Sequence, residues 1–183
     1  MGKNIIILNG SPRPEGNTSG LVKAFTEGAE EAGHKVTTFL LDSMNINGCK
    51  GCFGGGKDLD VNSPCTQKDD MDKIYPVYKE ADVVVLASPL YYWNFSGQLR
   101  TAFDRLYAVA EGNLNRKNPQ KDCVLLMAAN GTGYDEILNY YNNLMEHIQW
   151  ASLGTILVSG VRGIGDIEGN PELDRAKELG KSI

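Results

Sequence analysis

Positive charge is nowhere concentrated in this sequence. No more than two Lys or Arg stand side by side, and 18 of them against 23 Asp and Glu leave a net charge of −5. Proteins that neutralise a phosphate backbone carry a basic face or stripe, so no nucleic-acid partner is expected. Long apolar runs are also missing: none nears the roughly 20 residues that span a bilayer, and no membrane partner is expected. The first residues enter an apolar block without the charged stretch, apolar core and cleavage site of a secretory signal, so a cytoplasmic protein is expected. Neither common nucleotide fingerprint is present: there is no G-x-x-x-x-G-K-[ST], and no G-x-G-x-x-G follows the first apolar block. Histidine occurs only twice. His34, just behind a helix-ending glycine, and His147, among polar helix residues, read as surface residues rather than catalysts.

What is present is a regular alternation. With 183 residues, 42% hydrophobic and 22% charged, the chain is the size and composition of one globular domain, 1–183. Ile5-Ile6-Ile7-Leu8 reads as a strand buried on both faces. Leu21, Val22, Phe25, Ala29 and Ala32 then recur at helical spacing, and Gly33 suits a left-handed C-cap. Val36 to Leu41 reads as a second strand. From Asp42 to Lys68 no period holds, which marks a long functional or mobile loop. Asp69 and Asp70 offer an N-cap to a helix carrying Met71, Ile74, Val77, Tyr78 and Ala81. Val83 to Ala87 is a third strand, and Ser96 caps a helix with Leu99, Ala102, Phe103 and Leu106 on one face. A polar loop is expected over 111–120, a fourth strand over Cys123 to Ala128, and a helix bearing Ile137, Leu138, Tyr141, Leu144 and Ile148, opened by a Thr132–Asp135 capping-box variant. A last strand from Thr155 to Val161 and a helix opened by Asn170 and Pro171 complete five β–α units. Such alternation gives a doubly wound parallel sheet with helices on both faces, and ligands bind beyond the carboxyl ends of its strands.

The loops after the first, third and fourth strands are therefore expected to converge. The first, Gly10 to Ser19, joins a strand to a helix start, so free backbone N–H groups and the helix dipole favour an anion there. Ser11, Arg13, Thr18 and Ser19 could line the same spot. A plain, well-capped connection would have a similar composition. In the second, Pro89 stiffens a segment whose Tyr91, Tyr92 and Trp93 suit a flat conjugated ligand. For Trp93 a hydrophobic plug or a dimer contact is the competing reading. A phosphate at one end and a planar ring at the other describe flavin mononucleotide.

The sequence resembles the flavodoxin-like NAD(P)H-dependent FMN reductases, in particular the branch that includes the iron–sulfur flavoproteins. The residues that carry the resemblance are Gly10-Ser11-Pro12-Arg13 with Gly16-Asn17-Thr18-Ser19, Cys49-x-x-Cys52, Asp69-Asp70-Met71, and Ser88-Pro89-Leu90-Tyr91 with Gly97-Gln98-Leu99. The resemblance spans roughly residues 4–160. It implies a flavodoxin-like five-stranded sheet of order 2-1-3-4-5 and an FMN phosphate held at Ser11, Arg13, Asn17, Thr18 and Ser19. It also implies a ring lying along Pro89, Leu90, Tyr91, Tyr92, Trp93 and Asn94, closed over by Asn130, Gly131 and Tyr134. NAD(P)H would pass a hydride through FMN to a quinone, nitroaromatic, flavin or metal-ion acceptor, with no protein acid or base required. A homodimer or homotetramer is expected, because family members are usually dimers or tetramers with the flavin near a subunit boundary.

One departure matters. The iron–sulfur branch carries a compact motif of four cysteines, whereas Cys49 and Cys52 are followed here by Phe53-Gly54-Gly55-Gly56, and the next cysteine is Cys65. Cys123 reads as an inert core residue, so three loop cysteines fall one short of a cluster or a structural zinc site and no metal is expected. A Cys49/Cys52 redox pair and simple unpaired thiols are both open. A one-electron flavodoxin-type carrier, or a non-enzymatic module for another phosphorylated ligand or a protein, are the rival functions.

Overall fold

The computed structural model describes residues 2–52, 64–110 and 120–183. Five parallel strands, β1 (Asn4–Asn9), β2 (Lys35–Leu40), β3 (Val83–Pro89), β4 (Asp122–Ala128) and β5 (Ala151–Val158), form one sheet in the order 2-1-3-4-5. Five α-helices connect or follow them: α1 (Asn17–Glu31), α2 (Met71–Glu80), α3 (Gly97–Arg105), α4 (Asp135–Ile148) and α5 (Pro171–Lys181). The expected flavodoxin-like fold is therefore the observed one.

Side chains of successive strand residues point to opposite faces, and the core divides accordingly. Ile5, Ile7, Val83, Val85, Val124 and Leu126 meet Leu21, Phe25 and Ala29 of α1 and Ala176 of α5. Ile6, Leu8, Val84, Leu86, Leu125 and Met127 meet Ile74 of α2, Leu99 of α3 and Tyr141 of α4 on the other face. Continuous apolar runs in β1, β3 and β4 thus reflect burial on both faces. No helix among the described residues is long and apolar enough to cross a membrane.

Helix ends follow the sequence in two places. Gly33 adopts φ +86° behind α1, with its N–H on Glu30 O and that of His34 on Ala29 O, a Schellman closure. Asn170 Oδ1 accepts from Glu172 N at 2.9 Å, ahead of Pro171 at the first turn of α5. Asn170→Ala should lower stability by about 1 kcal/mol, read as a shift in the urea midpoint at unchanged slope; an unshifted midpoint would remove the cap from the account.

Two expectations are corrected and a third holds in part. The last strand lies at Ala151–Val158 rather than Thr155 to Val161. Its start is an exposed edge with little apolar signal, and Val161 is buried in the following turn, where its N–H bonds Ala129 O. The Thr132–Asp135 capping box does not form: Tyr134 takes the N-cap position in helical conformation with no side-chain cap, and its hydroxyl donates to Val158 O at 2.5 Å. Ahead of α2, Asp70 makes no cap bond; its carboxylate accepts from Asn45 N at 2.8 Å, while Asp69 Oδ1 takes Met71 N at 3.2 Å. The aperiodic 42–68 stretch holds a 3-10 turn, Leu41–Ser43, at its start and no α-helix or strand among its described residues. Of the polar loop expected over 111–120, residues 111–119 lie outside the described residues.

Candidate functional site

The site grows from the carboxyl end of β1. Asn9 organises the turn that follows, accepting from Ser11 N at 3.0 Å and donating from Nδ2 to Ser19 Oγ at 3.1 Å. Ser11 Oγ and Ser19 Oγ both donate to Arg13 O, at 3.1 and 2.9 Å. The hydroxyls thereby fold the loop back over the start of α1. Gly16, the N-cap, is extended and has no side-chain cap, and the first turn holds no acidic residue. Gly20 N is the first amide of α1 with a backbone acceptor, so those of Asn17, Thr18 and Ser19 have none among the described residues. Three unpaired N–H groups at a positive dipole end favour a negative charge.

The turn between β5 and α5 closes on this loop, which sequence reasoning missed. Asn17 Nδ2 donates to Gly163 O at 2.9 Å, and its Oδ1 accepts from Ile167 N at 3.2 Å. Arg13 Nη1 donates to Arg162 O at 3.2 Å. The turn keeps its shape because Asp166 accepts from the N–H groups of Arg162 and Gly163, which hold its carboxyl below the usual range. Its run of glycines was visible in the sequence, but nothing local told which loop it would touch.

Ser96 locks the second loop to the first. Its Oγ donates to Gly10 O at 2.8 Å and accepts from Leu99 N at 3.3 Å, as the expected cap of α3, and its N–H bonds Ser88 Oγ at 2.8 Å. Beyond Pro89, which pairs with Ala128 across the sheet, Tyr91 and Asn94 exchange both backbone hydrogen bonds at 3.0 Å. The residues between them, Tyr92 and Trp93, have φ of +47° and +60°. A tight turn with two positive φ values normally takes Asn-Gly; two aromatic residues hold it here under backbone strain of the kind that gathers at functional sites. Tyr91 is 46% exposed, Tyr92 95% and Trp93 61%. Among the described residues the other exposed large apolar side chain is Ile164, in the turn clasped by Asn17.

The third loop is split. Asn130 and Gly131 are exposed at the same sheet edge, and Gly133 lies under the Trp93 indole, so near that a methyl group there would sit 3.1 Å from Nε1. Tyr134 is not brought to the surface with them: it is buried in the core and its hydroxyl is engaged by Val158 O. Apart from Ser11, Thr18 and Tyr134, which are buried, the expected residues are at least partly exposed at or beyond the carboxyl ends of β1, β3 and β4, with free amides at one end and aromatic faces at the other. Neither histidine stands there: His34 accepts from Lys3 N at the opposite end of the sheet, and His147 is exposed on α4.

A second cluster was also unforeseen. Arg105 and Asp69 form an ion pair at 2.6 Å with each side chain 1% exposed. Arg105 also donates to Asn47 O at 2.7 Å, and Asp69 accepts from Asn47 N at 3.1 Å. Burial pushes the Asp69 carboxyl up, but the bonds from Arg105, Asn47 and Met71 outweigh it and hold the group below its usual range. Beside this pair lies a cavity of about 530 Å³ lined in part by Cys49, Cys52, Cys65, His147 and Trp150. No disulfide joins any of the four cysteines.

Comparison with known proteins agrees with this geometry. A model of the family described as NADPH-dependent FMN reductase matches residues 3–163. An iron–sulfur flavoprotein of Archaeoglobus fulgidus is 32% identical over 177 residues, covering 95% of this chain and 76% of the relative. One from Methanosarcina thermophila is 30% identical, covering 90% and 81%. Among solved structures, an NAD(P)H:quinone oxidoreductase from Methanothermobacter marburgensis superposes with a TM-score of 0.77 at 20% identity, over 100% of this chain and 96% of that one. An azoreductase from Bacillus anthracis gives 0.72 at 20% identity, with 100% of both chains covered.

Proposed function

This chain belongs to the NADPH-dependent FMN reductase family and is an NAD(P)H-dependent flavin oxidoreductase; on that footing we propose that it reduces a planar acceptor, a quinone or a nitroaromatic, docked against the Tyr91–Asn94 turn. The observation that carries the reading is the pairing of three free α1 amides with an exposed aromatic turn at the same sheet edge.

The residues present fit FMN. The amides of Asn17, Thr18 and Ser19 and the Arg13 guanidinium would hold its phosphate, with Ser11 and Ser19 hydroxyls able to turn from Arg13 O towards it. The ring would lie along Pro89 to Asn94 against Tyr91, with Asn130 and Gly131 on the closing side. Bound there, FMN would supply the hydride chemistry between NAD(P)H and the acceptor. The chain's own part is to position the ring and exclude water. Tyr92 and Trp93, held outward by their strained backbone, would cover a flat molecule stacked on it. Assembly as a homodimer or homotetramer would cover these exposed rings further.

Two experiments follow. Tyr91→Ala should weaken FMN binding by roughly tenfold, measured by fluorescence titration of the apoprotein; unchanged affinity would take Tyr91 out of the site. For the function itself, the purified protein is reduced anaerobically with NADPH or NADH and then mixed with a benzoquinone. Flavin bands that bleach and return within the mixing sequence support the proposal. Bands that bleach and stay bleached would refute the acceptor.

A further inference from the structure

The iron–sulfur flavoproteins among the relatives direct attention to the 44–70 excursion, and we infer that this chain builds no iron–sulfur cluster there, so that electrons leave through bound FMN alone and an acceptor must reach the ring. The inference rests on the function proposed above and deepens it.

Clusters of this kind need four protein ligands, as a rule four cysteine thiolates. Only Cys49, Cys52 and Cys65 lie in the excursion. The fourth cysteine, Cys123, is fully buried in β4, paired in register with Val84 on one side and Ser152 on the other. Burial pushes its thiol up to about 12, and it could reach the loop only if a central strand left the sheet. The two carboxylates described at its end are otherwise engaged. Asp69 is bound by Arg105, and Asp70 by Asn45 N and Lys73. His147 lines the same cavity as the three cysteines. Even so, among the described residues no three of Cys, His, Asp and Glu stand near enough to share a metal ion.

The excursion has another means of keeping its shape. Its two ends run alongside each other and are tied at Asn45–Asp70, Asn47–Asp69 and Gly48–Gln67, and Cys52 Sγ lies 3.4 Å from Thr66 Oγ1. The buried Asp69–Arg105 pair anchors this ladder to α2 and α3. Side-chain bonds do here what a metal cluster would do elsewhere.

The consequence is one of electron count. A cluster moves single electrons, whereas NAD(P)H delivers two as a hydride. With no cluster, both electrons stay on the flavin until an acceptor reaches the ring itself. For a quinone, NAD(P)H + quinone + H⁺ gives NAD(P)⁺ + hydroquinone, with the second proton drawn from solvent.

The test uses the holoprotein, purified anaerobically and then incubated with ferrous iron and sulfide. Iron, acid-labile sulfide and flavin are quantified, the dithionite-reduced sample is examined by low-temperature EPR, and reducing equivalents are counted in a titration. The inference expects iron far below one atom per chain, no reduced-cluster signal and two electrons consumed per flavin. About four irons per chain, with a cluster signal and extra equivalents that vanish in Cys49→Ser, would overturn it. Iron content does not depend on quinone turnover: an iron-free protein that leaves quinones untouched upholds the absence of a cluster and refutes only the proposed acceptor.

Discussion

Arg105→Ala should cost about 3–5 kcal/mol of stability. The guanidinium is buried with Asp69 and bonds it through two nitrogens, at 2.6 and 3.0 Å. Removing it leaves a carboxylate 1% exposed without its counter-charge. The double variant Asp69→Leu/Arg105→Met should be less destabilised than Arg105→Ala, since a buried pair replaced by apolar groups leaves no orphaned charge. The pair also has a pH signature. The Asp69 carboxyl is held below its unfolded-state value. Its contribution is therefore complete above the ordinary carboxylate range, about pH 4, and is lost as pH falls through the lowered folded value. Urea midpoints at pH 7 and pH 3 should converge in the double variant relative to the parent. Equal midpoints for parent and Arg105→Ala at pH 7 would show that the pair holds nothing.

Gly10→Val strikes the site rather than the scaffold. Even a methyl group at this position would sit 2.5 Å from Ser96 Oγ and 2.7 Å from Leu99 Cβ. The end of β1 and the start of α3 would have to part, breaking the Ser96–Gly10 bond that joins the first two loops. Overpacking of this kind costs about 1–3 kcal/mol. Because the amides of α1 and the aromatic turn would lose their relative placement, FMN retention should fall by more than the stability change alone suggests. We expect a purified variant that is folded by circular dichroism yet colourless. A variant with full flavin content would break the link between Gly10 and the site.

The parallel sheet and most element positions were legible because buried parallel strands are short apolar blocks and the helices keep their spacing; the strand order came with the family resemblance. The strand at 151–158 was misplaced because Ala151 and Ser152 occupy an exposed edge, where burial leaves no mark on composition. Arg105 was missed for the opposite reason: a charged residue is read as surface, although its spacing from Leu99 and Ala102 put it on the buried face of α3. Asp69 was noticed, but as a cap, since its partner is 36 residues away and no local pattern connects them. At the site, the residue types of the first two loops were readable from β1 and β3. The clasp from Asn17 to Gly163 is a contact between residues 146 apart and became visible only in three dimensions. Tyr134 shows the limit of reasoning by loop: it sits among site residues in sequence, yet its ring turns into the core.

The central claim is that the free amides of α1 hold the phosphate of the flavin. Calorimetric titration of the apoprotein with FMN and with riboflavin tests it directly, because the two ligands differ only in that group. Hydrogen bonds to a charged group contribute about 1.5–3 kcal/mol each, so FMN should bind at least 100-fold more tightly than riboflavin. Equal affinities for the two would contradict the account.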